Sequence, residues 1–171
     1  MIITQDIEDR ARKIGMQRTS LHNKTPSAKT GMNDDYDDDY LGALGEICFE
    51  EMYGYPVDEE DRIQGDDGTD FIIKCLHDDV ISYHSVDIKT SSQKGESYDH
   101  LNLLVPIDKV ESKIYVQAMY REHKRCIQLV GWETAQSVKK APIKKKKKTN
   151  HEIKIPNLRP MSELEKKMLR G

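Results

Sequence analysis

Asp70, Asp87 and Lys89 are the residues whose types and spacing could do chemistry, and that chemistry is metal-assisted cutting of a phosphodiester. They fall in two segments, 68–75 (GTDFIIKC) and 80–92 (VISYHSVDIKTSS), with the polar residues His77, Asp78 and Asp79 between them. Both segments are rich in β-branched and apolar residues, a pattern that predicts a β-hairpin. A turn centred on Asp78 and Asp79 puts Asp70 opposite Asp87, with Cβ atoms about 4.5–5.5 Å apart. Like charges facing each other across strands are destabilising, and a divalent cation bound between them would remove the conflict. Lys89 lies two residues beyond Asp87 and shares its face, while Ile88 points to the other side.

Carboxylate oxygens are the ligands Mg²⁺ prefers. That ion keeps several waters and takes one or two carboxylates plus the phosphate oxygens of a substrate. It lowers the pKa of a water and polarises the phosphoryl group, and a nearby lysine orients the water or stabilises charge developing on the phosphate.

In order and spacing these residues resemble the PD-(D/E)XK nuclease superfamily, with Asp70 as the first acid and Asp87-Ile88-Lys89 as the second half of the motif. The stretch 41–54, LGALGEICFEEMYG, resembles the helix that precedes the hairpin there, and Glu46 matches its helix-borne acid. Segments 103–106 (LLVP), 113–120 (KIYVQAMY), 126–134 (CIQLVGWET) and 155–164 (IPNLRPMSEL) are similar to those of small phage and bacterial members, so the likeness spans about 41–164. Thr69 stands where the pattern has proline, and aspartate begins the second half, where the pattern allows either acid.

The resemblance implies a restriction-endonuclease-like α/β domain, a mixed sheet flanked by helices. It implies Mg²⁺, with Mn²⁺ substituting, held by Asp70, Asp87 and the Ile88 backbone carbonyl, with Glu46 binding the ion through water or orienting that water. Lys89 would position the attacking water. The expected activity is that of a metal-dependent deoxyribonuclease, most simply an endonuclease. A junction or flap resolvase or an exonuclease of the same fold, and a non-catalytic nucleic-acid-binding or assembly protein, are the alternatives. A resolvase or restriction enzyme would work as a homodimer, so that two sites face two strands.

Charge is divided along the chain. Residues 1–95 hold 10 Lys and Arg against 21 Asp and Glu, a net of −11, and residues 96–171 hold 17 against 9, a net of +8. Such asymmetry points to a nucleic-acid partner. Candidate phosphate contacts are Ser91, Ser92, Gln93 and Lys94, in a polar loop read over 90–99, and Lys144, Lys145 and Lys146, in a basic loop read over 139–148. Gln117, on an alternating strand with Tyr115 and Met119 on its face, is a possible neighbour of the site. The acidic run 34–39 reads as a solvated lead-in to a helix.

The organisation expected around the site is an N-terminal helix with a mobile polar and acidic lead-in over 1–40, then the nuclease domain over 41–171 with a docked C-terminal segment. Thr4 caps the first helix, which has Ile3, Ile7, Ala11 and Ile14 at helical spacing, and 18–33 reads as a loop. The second helix follows Asp38 or Asp39. Gly42 and Gly45, costly inside a helix, imply close approach to the sheet, which would bring Glu46 toward the hairpin acids. A brief helix is expected over 106–112 and another over 134–140, and Leu158, Met161 and Leu164 should dock the C-terminal end.

The three cysteines, Cys48, Cys75 and Cys126, read as buried thiols, and the six histidines show no paired metal-ligand spacing. With no glycine-rich phosphate loop, no nucleotide cofactor is expected. The absence of a long apolar run predicts no membrane span and a cytoplasmic location.

Overall fold

The structure is a computed structural model, and it describes residues 1–22, 32–58, 68–93, 101–145 and 148–169. Among these the chain runs α1 (Gln5–His22), α2 (Met32–Tyr53), β1 (Phe71–His77), β2 (Val80–Gln93), β3 (Leu103–Pro106), β4 (Ile114–Arg121), β5 (Cys126–Thr134), α3 (Ala135–Lys140), β6 (Ile143–Lys145), β7 (Thr149–Ile153) and α4 (Met161–Glu165). A mixed sheet of four strands in the order β1-β2-β4-β5 stands beside a three-stranded sheet in the order β3-β7-β6. Helices flank the larger sheet, so the architecture is mixed α/β. No helix among the described residues is long and apolar enough to cross a membrane.

The hairpin forms where the alternation places it. β1 buries Phe71, Ile73 and Cys75 and exposes Ile72, Lys74 and Leu76. Asp78 and Asp79 turn the chain with φ of 48° and 60°, the left-handed pair of a two-residue hairpin turn, which aspartate tolerates better than most residues. The register runs from Phe71 opposite Val86 to His77 opposite Val80, as a turn on those two residues requires. β2 then passes between β1 and β4, pairing with β4 in parallel. A strand with layers on both faces loses its alternation, and Val86, Asp87 and Ile88 are all buried.

One layer is built by α1 and α2, whose Ala11, Ile14, Ala43, Leu44, Ile47 and Cys48, with Ile3 ahead of α1, share a core with Val86, Ile88, Val116 and Ala118 of the sheet. Phe49 stacks on Phe71 with ring centroids 4.8 Å apart. Gly45 permits this approach: a Cβ there would lie 2.0 Å from Thr90 Oγ1 and 3.1 Å from Ile88 Cγ2. On the opposite face Leu103, Val105, Tyr115 and Val138 form a second cluster, joined by Ile153 and Leu158. Met161 and Leu164 dock the C-terminal segment into the first core, a contribution of about 1.5–3 kcal/mol for each fully buried side chain of this kind. The main chain after them pairs with the outer edge of β1 through Leu76 N–H to Lys167 O and Leu169 N–H to Lys74 O.

Several expectations are corrected. The first helix does not stop near Arg18 but continues to His22, and the second begins at Met32 rather than after Asp38 or Asp39. The acidic run is therefore helical backbone, not a lead-in, and the rest of the expected loop, 23–31, lies outside the described residues. No helix forms over 106–112; a turn closed by Lys109 N–H on Pro106 O stands there. The polar loop expected from Thr90 is strand as far as Gln93, because β4 continues alongside as its partner. The described part of the basic loop expected over 139–148 is instead the end of α3 and the strand β6, paired with β7, which the lysine run concealed by hiding its alternation; 146–147 lie outside the described residues. β4 is buried on both faces, not half-exposed, because the second cluster covers the face of Tyr115 and Gln117. All three cysteines are free, with Cys48 and Cys75 buried and Cys126 half-buried.

Candidate active site

Asp87, Ile88 and Lys89 lie in the middle of β2, where the strand is paired on one edge only. β1 begins at Phe71 opposite Val86, so beyond that point the β1 edge of β2 is met by Asp70. The ladder ends one residue short of the expected facing pair. Asp70 N–H donates to Val86 O at 2.9 Å, and Asp70 Oδ2 accepts from the Ile88 N–H at 2.6 Å. The carboxylate thus takes the main-chain donor that a longer β1 would have taken. Since the N–H and C=O of one strand residue point to the same edge, the Ile88 carbonyl faces the side on which Asp70 stands.

Asp87 is 4% exposed. Lys89 Nζ lies 2.7 Å from its Oδ2, the period-two contact that the sequence implies. Tyr115 is the partner of Asp87 on β4, and Gln117 that of Lys89. Burial pushes the Tyr115 hydroxyl up to about 12, and the negative charge of Asp87 adds to the rise. A carboxylate this deeply buried must be compensated, and Lys89 supplies one compensating charge.

Asp70 is aimed by a residue that sequence reasoning missed. Ser112, 1% exposed, donates its Oγ hydrogen to Gly68 O at 2.8 Å. Its one hydroxyl hydrogen is then used, so the 2.9 Å contact between Thr69 Oγ1 and Ser112 Oγ is donated by threonine. Ser112 N–H donates in turn to the Tyr115 hydroxyl at 3.2 Å. Gly68 enters this strap with φ +68°, and a Cβ on it would lie 2.7 Å from Glu111 Oε2. The glycine was visible in the GTD motif; a serine 44 residues away carried no signal.

The other expected site residues divide. Glu46 is 6% exposed, and both its oxygens are held by Arg18, at 2.6 and 2.7 Å. Among the described residues no group of three or more His, Cys, Asp or Glu side chains is gathered to share one ion. Ser91 Oγ accepts from Gln117 Nε2 at 3.2 Å, and Ser92 donates to Glu122 Oε1 at 2.5 Å. Gln93 is 1% exposed, so its expected place on a phosphate backbone is corrected: it is an interior amide. Lys144, on β6, is ion-paired with Glu152 of β7, not solvated in a loop. Lys145 is an exposed strand residue, and Lys94 and Lys146 lie outside the described residues.

The chemistry of the donor set fits a hard divalent ion. One carboxylate, Asp70, binds the edge of the Asp87-Ile88-Lys89 tripeptide and a second, Asp87, belongs to it, beside a main-chain carbonyl; Mg²⁺ takes one or two carboxylates and completes its shell with water and phosphate. Searched against known proteins, the chain matches no family model, no curated protein and no solved structure.

Proposed function

We propose that this protein is a Mg²⁺-dependent nuclease that hydrolyses DNA phosphodiester bonds on a restriction-endonuclease-like fold. One observation carries the reading. A single strand tripeptide joins a buried carboxylate, an ammonium 2.7 Å from it, and a main-chain N–H bound at 2.6 Å by a second carboxylate. Asp70 and Asp87 would hold the ion, with the Ile88 carbonyl as a further ligand and Mn²⁺ able to substitute. The bound ion supplies Lewis-acid polarisation of the phosphate and a water of lowered pKa. Asp87 keeps the Lys89 ammonium at the site, and Lys89 donates toward the phosphate as negative charge builds in the transition state. Asp70 fixes the main chain between them, and Ser112 fixes Asp70. Glu46 joins α2 to α1 through Arg18 and enters the site only if that ion pair opens.

The division of charge supports nucleic acid as substrate: the lysine-rich second half supplies the sequence-independent attraction to phosphate. Labelled linear duplex, circular single strand, flap and four-way junction DNA, incubated with the protein in Mg²⁺, in Mn²⁺ and in EDTA beside Lys89→Ala, test the reading. Metal-dependent cutting lost in the variant supports it, and the preferred substrate separates a general endonuclease from a junction or flap enzyme or an exonuclease. Binding without any cutting overturns it in favour of a non-catalytic nucleic-acid-binding protein.

A further inference from the structure

Gln117 is buried to 1% exposure in the centre of β4, and its orientation is fixed. Its Nε2 donates to Ala118 O at 2.7 Å and to Ser91 Oγ at 3.2 Å. A carbonyl can only accept, so the nitrogen must face Ala118 and the amide oxygen must face away from it. That oxygen, Oε1, has no hydrogen-bond partner among the described residues. Leaving a buried acceptor unmade is costly, and native proteins seldom carry one without a use for it.

Three further observations describe the surroundings of the amide. Gln117 is the register partner of Lys89 on the adjacent parallel strand, so the two side chains share a face. The β4 to β5 ladder shifts register between Gln117 and Ala118, and irregularities of this kind commonly re-aim a side chain beside a site. Gly131, opposite Gln117 on β5, leaves room that Leu158 fills, since a Cβ there would lie 2.6 Å from Leu158 Cβ. One flank of Gln117 is therefore apolar, and its other flank is the strand that bears Lys89. The Lys89 ammonium has three donors, of which Asp87 Oδ2 accepts one.

We propose that Gln117 is a positioning residue for Lys89, its amide oxygen holding the ammonium through one water while Asp87 holds it directly, so that the lysine is fixed between two acceptors beside the Asp70 and Asp87 carboxylates. Such a water has the two polar partners it needs. The catalytic consequence rests on the nuclease reading; the restraint on Lys89 does not.

The test uses the full chain with ¹⁵N-labelled lysine, as wild type, Gln117→Leu, Gln117→Glu and, as a control for the Ser91 contact, Ser91→Ala. The Lys89 ammonium correlation is assigned by its loss in Lys89→Arg. In the wild type it should be sharp and slow to exchange with water. Gln117→Leu should broaden it beyond detection, and Gln117→Glu, which keeps an acceptor, should restore it. With DNA and Mg²⁺, Gln117→Leu should lower kcat about tenfold or more, in the range typical when a partner that orients a site residue is removed, with KM unchanged; Ser91→Ala, read by the ammonium signal alone, should leave that signal sharp. A merely structural amide would instead lower the melting temperature and leave the Lys89 signal alone. A Lys89 signal that is the same in wild type and Gln117→Leu overturns the inference. Failure of the wild type to cut any DNA overturns the nuclease reading, and the ammonium signal still decides the role of Gln117.

Discussion

Asp70, Asp87 and Lys89 carry different structural burdens, and their variants should separate chemistry from stability. Asp70 accepts a main-chain hydrogen bond from Ile88 and is not part of the apolar core, and Lys89 is one-third exposed, so neither alanine variant removes packing from the core. Asp70→Ala and Lys89→Ala should each cut DNA at least about a hundredfold more slowly than wild type, which for Lys89 is the scale of losing one transition-state donor, with unchanged circular dichroism. Full activity in both would place the catalytic site elsewhere. Ser112→Ala should unstrap the Gly68–Asp70 entry to β1 and lower cutting about tenfold with little change in DNA binding, which a filter-binding titration run beside the rate measurement would check. Arg18 has the opposite character. Removing it leaves the buried Glu46 carboxylate without its cation, a change that costs about 3 kcal/mol. Urea melts of Arg18→Ala should show that loss, and Arg18→Ala with Glu46→Gln should recover part of it.

Two glycines of α2, three residues apart, give a test at the scale of the element. Helix propensity favours replacing either with alanine by about 1 kcal/mol. At Gly42 the added Cβ would meet only Arg18 Nη1, at 3.9 Å, so Gly42→Ala should stabilise the fold by up to that amount. At Gly45 the Cβ would fall 2.0 Å from Thr90 Oγ1, and α2 must move off the sheet. Gly45→Ala should therefore destabilise by about 1–3 kcal/mol, as overpacked cores do. Denaturant midpoints that shift in the same direction for both variants would contradict the seating of α2 on β2.

Two expectations belong to the whole molecule, a stability that rises with metal and one that declines at high pH. An ion that binds only the folded state raises the melting temperature by mass action, so Mg²⁺ or Mn²⁺ should raise it in the wild type and not in Asp87→Ala. Burial lifts the Cys48 thiol from 9.0 to about 11 and, together with the charge of Asp87, the Tyr115 hydroxyl from 10.0 to about 12. Both groups are neutral when protonated, and both ionise more readily in the unfolded chain. Their contribution is complete below the unfolded pKa values and is lost as pH rises through the folded ones. Stability should thus fall between about pH 9 and pH 12, and Tyr115→Phe, which cannot ionise, should soften the upper part of that fall. A melting temperature that is flat from pH 8 to 11 would mean that these groups are less sequestered than their positions indicate.

Periodicity, turn chemistry and helix-intolerant glycines act over a few residues, and what they specify was legible in the sequence. The Asp78-Asp79 turn sets the hairpin register because facing residues count outward from it. Period two puts Lys89 on Asp87, and Gly45 marks the close approach of α2 to the sheet. Contacts across long separations were decided only by the tertiary structure. β4 is buried on both faces because β3, β7 and α3 bring the second apolar cluster over it, which turns Gln117 from a strand-surface amide into an interior one. The lysine run concealed β6, whose partner β7 supplies the hydrogen bonds that no local pattern announces. Asp70 meets the Ile88 N–H, and not Asp87 face to face, because Ser112 ties the entry to β1 from 44 residues downstream. Local sequence determines which groups can share a face; only packing decides which of them are buried, held and left with an acceptor to fill.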